Sequence, residues 1–311
     1  MTASAIVVVN FNTVDHLRRC LESASGQHAS RIVVADNGST DGSIEMVERE
    51  FPFVDLSVDR RNPGYGAGAN RGIRACGDLD VLLLNSDTRF GPGALAALQK
   101  YLSSHPSAGL VGPRLLNVDG TLQPSTFRFP SPLRPPVQRD PLAPLIRHIP
   151  WVGDRYLSTW SHDRPRTVPY VMGAALMIRR TAFEAVGGFD ESFFMYAEEI
   201  DLCWRMRTAG WETHFAPVTN VVHAGRASTR QREAEMLEQS AVSSMRFYRQ
   251  RYSGLRRGVG LLMFRAAMAG RIGRDAFRYA WVRDADRRRE IAGNLRIWQR
   301  VLTDRPALPV R

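Results

Sequence analysis

The sequence predicts an α/β protein: a mostly parallel central sheet flanked by helices, followed by a basic helical extension. Three observations carry this. Short aliphatic runs alternate with stretches of helical periodicity from Ile6 to Val111, the pattern of strand–helix repeats. Three of the runs end in polar clusters, and the carboxyl ends of strands are where such sheets bind ligands. Finally, the net positive charge is confined to one end of the chain. Arg226 to Arg311 holds 20 Arg against 8 Asp plus Glu, a net of +12, whereas the first 225 residues carry 22 basic and 23 acidic side chains.

Ile6–Val9 is β-branched and suits a buried parallel strand. His16–Ala24 has helical spacing, Arg31–Ala35 reads as a second strand, Ser43–Glu50 as a helix and Val54–Val58 as a third strand. Gly66–Ala75 is helical, Val81–Leu84 a fully apolar fourth strand, Gly93–Leu102 a helix and Ala108–Val111 a fifth strand. Pro124–Pro169 is proline-rich and aperiodic and reads as a long loop, the expected place for acceptor contacts. Regular structure resumes over Val168–Ile178, turns at Gly187-Gly188 and enters a helix over Glu198–Ala209. Residues 1–225 are therefore expected to form one domain, with 226–311 as an Arg-rich helical extension.

Composition narrows the class. Apolar content is 44%, ordinary for a globular core. Cys20, Cys76 and Cys203 are scattered without metal-ligand spacing, which favours a reducing compartment over a disulfide framework or zinc site. The N-terminus reads directly into a strand, without signal-peptide features, and the apolar run Val259–Phe264 is too short to span a bilayer. Lys100 is the only lysine among 42 basic residues, a bias ascribed to coding composition.

The polar clusters are Asn10-Phe11-Asn12, Asp36-Asn37-Gly38-Ser39-Thr40-Asp41 and Asn85-Ser86-Asp87. Each alone is an ordinary turn with helix-capping residues. Three on one edge of a sheet point to a site. Asn62-Pro63-Gly64-Tyr65-Gly66-Ala67-Gly68-Ala69-Asn70 suggests close backbone approach to a nucleotide. A dinucleotide fingerprint is excluded by position, because its glycines belong in the first strand-to-helix turn, here Asn-Phe-Asn-Thr. Asp87 ends an apolar strand, and an oxygen ligand on a rigid edge suits Mg²⁺ or Mn²⁺ shared with a diphosphate. His223, after Val221-Val222, is a further metal-ligand candidate. From Asp190 to Arg205, carboxylates (Glu198, Glu199 and Asp201 among them) lie beside Phe193, Phe194, Tyr196 and Trp204. Carboxylates against an apolar wall can take raised pKa values and serve as general bases. Arg205 lies i+4 from Asp201 and can pair with it on one helix face.

The segments VVVNFN, VVADNGSTDGS, NPGYGAGANRG, LLLNSD, GAALMIRR and GGFDESFFMYAEEIDLCWR, followed by His223, occur in the order seen in glycosyltransferase family 2. Over about three quarters of its length the chain resembles that family, and most closely its bacterial rhamnosyltransferase branch. The resemblance implies a GT-A fold, transfer from a nucleotide sugar (dTDP- or UDP-linked, best matched by dTDP-L-rhamnose) with inversion, and a lipid-linked or polysaccharide acceptor of cell-surface glycan synthesis. It implies that Asp36 holds the base, that Asn10, Phe11 and Asn12 border it, and that Asn62, Gly66 and Asn70 belong to the nucleotide segment. Arg205 is carried with these nucleotide-sugar residues. Asp87 matches the last Asp of the family's DXD metal motif, whose first position is Asn85 here. Glu199 matches the catalytic base, with Glu198 and Asp201 open as alternatives.

The Arg-rich extension lacks a nucleic-acid motif. Its mixed Arg and apolar patches, Arg256-Arg257 before VGLLMF and MRFYRQRY, are expected at an anionic membrane surface or a homodimer contact. The expected location is the cytoplasm, peripheral at the inner face of the membrane. Two other classes share parts of this pattern: a nucleotidyltransferase, which should carry a basic Gly-rich loop in the first turn, and a non-catalytic nucleotide-sugar-binding protein, which would release no nucleoside diphosphate.

Overall fold

A computed structural model describes residues 3–131, 160–225 and 233–303. These fall into two compact units. The first takes 3–129, 160–194 and 198–225; the second takes 130–131, 195–197 and 233–303.

In the first unit the elements run β1 (Ser4–Asn10), α1 (Val14–Ser25), β2 (Arg31–Asp36), α2 (Ser43–Glu50), β3 (Asp55–Val58), α3 (Tyr65–Ala75), β4 (Asp80–Asn85) and β5 (Thr88–Phe90). There follow α4 (Ala94–Ser104), β6 (Ala108–Leu116), β7 (Leu122–Gln123), β8 (Thr126–Phe127), β9 (Arg166–Val168), β10 (Tyr170–Val171) and β11 (Ala175–Ile178). Last come α5 (Arg180–Ala185), α6 (Glu198–Thr208) and β12 (Glu212–His223). The main sheet is ordered β3-β2-β1-β4-β11-β6-β12-β5, with β7 on β6 and β9 on β12.

The parallel run expected from the strand–helix repeats is present in β3-β2-β1-β4. Beyond β4 the sheet is mixed: β11 runs antiparallel to both its neighbours, β12 pairs parallel with β6, and β5 and β9 pair antiparallel with β12. Period-two alternation divides β1 between two helical layers. Ile6 and Val8 join the core cluster with Leu17 and Leu21 of α1 and Met46 and Val47 of α2. Val7 and Val9 face α3, where Gly72 and Gly68 let the helix approach: a Cβ at Gly72 would lie 2.4 Å from Val7 Cγ1.

β5 and β12 escape sequence reading for a physical reason. β5 has three residues, too few to show a period. β12 contains Pro217 and breaks register between Phe215 and Asn220, so its alternation is interrupted. The proline-rich stretch is not all loop: it contributes β8 near its start and β9 near its end, while 132–159 lies outside the described residues.

The second unit holds α7 (Glu233–Arg251), α8 (Gly254–Trp281) and α9 (Ala285–Leu302). They pack around Tyr248, Phe264, Met268, Ile297 and Trp298. Trp298 Nε1 donates to the buried Asp275 carboxylate at 3.3 Å. No helix among the described residues is long and apolar enough to cross a membrane.

Candidate active site

Register brings the first two polar clusters together. Asn10 and Asp36 are direct partners at the ends of β1 and β2. Asn10 Nδ2 donates to Asp36 Oδ2 at 2.8 Å. That carboxylate also accepts from Ser39 Oγ and from the Gly38 and Ser39 amides, which close the 36–39 turn. Asn12, with φ 52°, accepts from Thr40 N, and its own N–H donates to Ser39 Oγ. Asp36 is 1% exposed and fully engaged, so it builds the floor of this edge. Phe11, next in the chain to Asn10, is half-buried.

The room left by the glycines of 62–72 is taken by the chain itself. Gly64 has φ 99°, and a Cβ there would fall 2.3 Å from the Phe194 carbonyl oxygen, which accepts from Tyr65 N at 2.9 Å. A Cβ on Gly66 would meet Phe189 Cβ at 3.2 Å. Asn70 completes the clamp. Its Nδ2 donates to Phe189 O and Glu191 Oε1, and its Oδ1 accepts from Phe189 N, each at 2.9 Å. The buried Asn70 amide thus imitates a strand partner for Phe189 and fixes the segment leading to α6. Asn62, with φ 48°, closes the preceding turn onto Asp59 O.

α6 begins with Glu198 and Glu199, preceded by Tyr196 and Ala197 with φ 66° and 67°. Two consecutive non-glycine residues in the left-handed region are strained backbone of the kind found at functional sites. The two glutamates have different surroundings. Glu198 is buried, its Oε2 has no hydrogen-bond partner among the described residues, and burial followed by the Glu199 charge holds its pKa well above the carboxylate range. Glu199 lies over Gly173, whose Cβ would sit 3.4 Å from Glu199 Cβ. Burial pushes its pKa up to about 6, against the pull of the Glu199 and Ile200 amides at the helix start. Glu199 is thus the member of the pair ionised at neutral pH and still basic enough to take a proton. Asp201, about 200° around the helix from Glu199, is fully buried and bound to Arg205 Nε at 2.7 Å. Arg205 also donates to Val186 O, so this pair anchors α6.

The end of β4 meets this helix through β11. Asn85 N donates to Ala174 O, one step beyond the β4–β11 ladder, and Gly173 is the next residue. Tyr65 Oη donates to Gly173 O at 3.2 Å, and its pKa is raised by burial and then by the charges of Glu198, Glu199 and Asp87. Tyr65, Gly173, both glutamates and Asp87 therefore share one neighbourhood. In the sequence Tyr65 and Gly173 are only members of longer motifs; their individual places come from the fold, through the Tyr65–Gly173 hydrogen bond and the packing of Glu199 on Gly173.

The β5–β12 register sets His223 opposite Thr88 and so beside Asp87. His223 Nε2 is 3.3 Å from Asp87 Oδ1, and Nδ1 is 2.8 Å from Gln123 Oε1. A hydrogen-bond chain fixes the tautomer. The exposed Asp119 carboxylate, held below its usual pKa by the Thr121 hydroxyl and amide, can only accept. Thr121 Oγ1 donates to it and accepts from Asn117 Nδ2; Asn117 Oδ1 then accepts from Gln123 Nε2, leaving Gln123 Oε1 toward His223. His223 Nδ1 must carry the hydrogen, so neutral His223 turns the Nε2 lone pair toward a carboxylate oxygen. Two electron-pair donors in that position call for a cation, a proton or a metal ion, and a hydrogen bond from the other ring nitrogen to an amide oxygen is a common arrangement of a metal-binding histidine. Among the described residues no cluster of three or more His, Cys, Asp or Glu is formed, and His223 with Asp87 is the candidate metal pair among them.

Residues 3–247 match the family described as Glycosyltransferase like family 2. The chain is 34% identical over 262 residues to an N-acetylglucosaminyl-diphospho-decaprenol L-rhamnosyltransferase of Mycobacterium tuberculosis, covering 80% of this chain and 85% of that one. It is 26% identical to the rhamnosyltransferase WbbL of Escherichia coli, covering 70% and 82%. Its fold is similar to that of the mannosyltransferase PcManGT of Pyrobaculum calidifontis, solved in complex with GDP-Man and Mn²⁺, with TM-score 0.51 at 17% identity over 97% of this chain and 86% of that one. The central sheet flanked by helices is the GT-A fold, and the chain belongs to glycosyltransferase family 2 as a rhamnosyltransferase-like enzyme.

Proposed function

We propose that the enzyme transfers L-rhamnose from dTDP-L-rhamnose, with inversion, to a hydroxyl of a lipid-linked or polysaccharide acceptor in bacterial cell-surface glycan synthesis. The donor and acceptor classes rest on the named relatives. The observation that carries the chemistry is the contrast between Glu198, buried with its pKa held well above the carboxylate range, and Glu199, whose pKa is raised to about 6 beside Gly173.

In this reading Glu199 accepts the proton of the acceptor hydroxyl. The oxygen bonds to the anomeric carbon as the bond from that carbon to the diphosphate oxygen breaks, and nucleoside diphosphate departs from the opposite face. The β1 and β2 ends, with Asn10, Phe11, Asn12 and Asp36, border the nucleotide. Asn62, Gly66 and Asn70 support it indirectly, by seating the segment that carries the glutamates. Asp87 and His223 would hold Mn²⁺ or Mg²⁺, with Asn85 at the turn. When bound, the ion supplies positive charge to the departing diphosphate. Residues 1–225 act as the catalytic domain. The 226–311 extension keeps the enzyme peripheral at the inner face of the cell membrane, where a lipid-linked acceptor is found.

A panel of dTDP-L-rhamnose and UDP-hexoses, each with Mn²⁺ and a lipid-linked disaccharide or monosaccharide acceptor, tests this by nucleotide release and product analysis. Transfer from dTDP-L-rhamnose with inverted anomeric configuration is expected. Selective use of a UDP-hexose, or retention, would overturn the donor or the mechanism respectively.

A further inference from the structure

α8 has two apolar faces. One is inside the second unit, where Phe264 and Met268 are almost fully buried. The other is in solvent. Leu255, Leu262 and Phe277 are 82%, 66% and 67% exposed, and Met263 and Trp281 flank them at 40% and 75%. Leu255, Leu262, Ala266, Gly273 and Phe277 follow one another at steps of seven and four residues, which places them in one stripe. Small residues, Gly270 and Ala280 among them, fill the gaps, so no charge interrupts a line running the length of the helix, about 42 Å.

Its borders are equally one-sided. Arg256, Arg257, Arg265 and Arg278 are exposed on α8. The helix contains a single acid, Asp275, which is buried against Trp298 and Arg274. The exposed surface of α8 therefore offers apolar side chains and positive charge, with no negative charge at all. A second copy of the chain is a poor occupant, because a two-fold pairing of this stripe brings arginine borders together. An anionic bilayer satisfies both parts: acyl chains take the leucines and aromatics, and lipid phosphates take the arginines.

We propose that α8 lies in the headgroup region of an anionic membrane, with Leu255, Leu262, Phe277 and Trp281 inserted and the flanking arginines on lipid phosphates. This deepens the peripheral location stated above and rests on that reading, while naming the surface that makes it.

The test uses the full chain and vesicles of phosphatidylcholine with about 30% phosphatidylglycerol, beside vesicles of phosphatidylcholine alone. Wild-type protein should sediment with the anionic vesicles and be released by salt. Leu262→Glu with Phe277→Glu, both at exposed positions, should weaken binding at least about tenfold with an unchanged circular dichroism spectrum. Transfer to a water-soluble short-chain acceptor should persist in this variant, which separates the two ideas. Loss of all transfer by the wild type sinks the functional reading, whereas binding is scored on the vesicles alone. Equal vesicle binding by variant and wild type, or no binding by the wild type, overturns the proposal. So does a wild-type dimer in light scattering that the variant converts to monomer.

Discussion

His223 Nε2 faces Asp87 Oδ1 at 3.3 Å, although 136 residues separate them in sequence, because β12 lies antiparallel to β5 with His223 opposite Thr88. Gln123 makes this relationship directional. By accepting from Nδ1 at 2.8 Å it leaves Nε2 as the nitrogen available to a cation. Gln123→Leu should therefore weaken Mn²⁺ binding about 10- to 100-fold, measured by electron paramagnetic resonance of free Mn²⁺. Gln123→Glu, which retains an acceptor, should restore most of it. Unchanged affinity in Gln123→Leu would remove the tautomer chain from the metal site.

Asn70→Ala should lower stability by about 2–3 kcal/mol, since it leaves the buried Phe189 N–H and C=O without their partner. Thermal unfolding measures the loss. Turnover should fall further than donor affinity, because the amide positions the glutamate-bearing segment rather than the nucleotide. An equal fall in both would place Asn70 at the donor.

Gly64→Ala should be more damaging. The added Cβ meets the Phe194 carbonyl at 2.3 Å, at a φ of 99° that alanine resists. Soluble expression and thermal shift report it; a variant with wild-type melting behaviour would show that 189–194 can move aside.

The Glu199 pKa gives stability a sign. Raised from 4.5 to about 6, the carboxyl binds its proton more tightly in the folded protein. Its stabilising contribution is complete below about 4.5 and is lost as pH rises through about 6. Glu199→Gln, which cannot ionise, should therefore gain up to about 2 kcal/mol relative to wild type at pH 8 compared with pH 4. Denaturant melts at the two pH values measure the difference, and a pH-independent effect would refute the burial argument.

The parallel strands β1, β2 and β4 and their polar ends could be read from sequence because each is a local pattern: an aliphatic run, then Asn, Asp or Ser. What brings those ends into a site is not local. The turn before antiparallel β11 brings Ala174, next to Gly173, to Asn85, and β12, interrupted by Pro217, delivers His223 to Asp87. The glycines of 64–72 were legible as a demand for space, but the sequence does not say that Phe194, Phe189 and Val7 fill it. Glu198 and Glu199 look alike as letters; only burial and the packing of Gly66 and Gly173 separate them.

Turnover of Glu199→Gln with dTDP-L-rhamnose, Mn²⁺ and a lipid-linked acceptor decides the role of this carboxylate, with donor binding followed by calorimetry in the same preparation. Transfer should drop by about 10²- to 10⁴-fold while donor affinity stays within a few-fold of wild type. Near-normal transfer by this variant would contradict the assignment of Glu199 as the base.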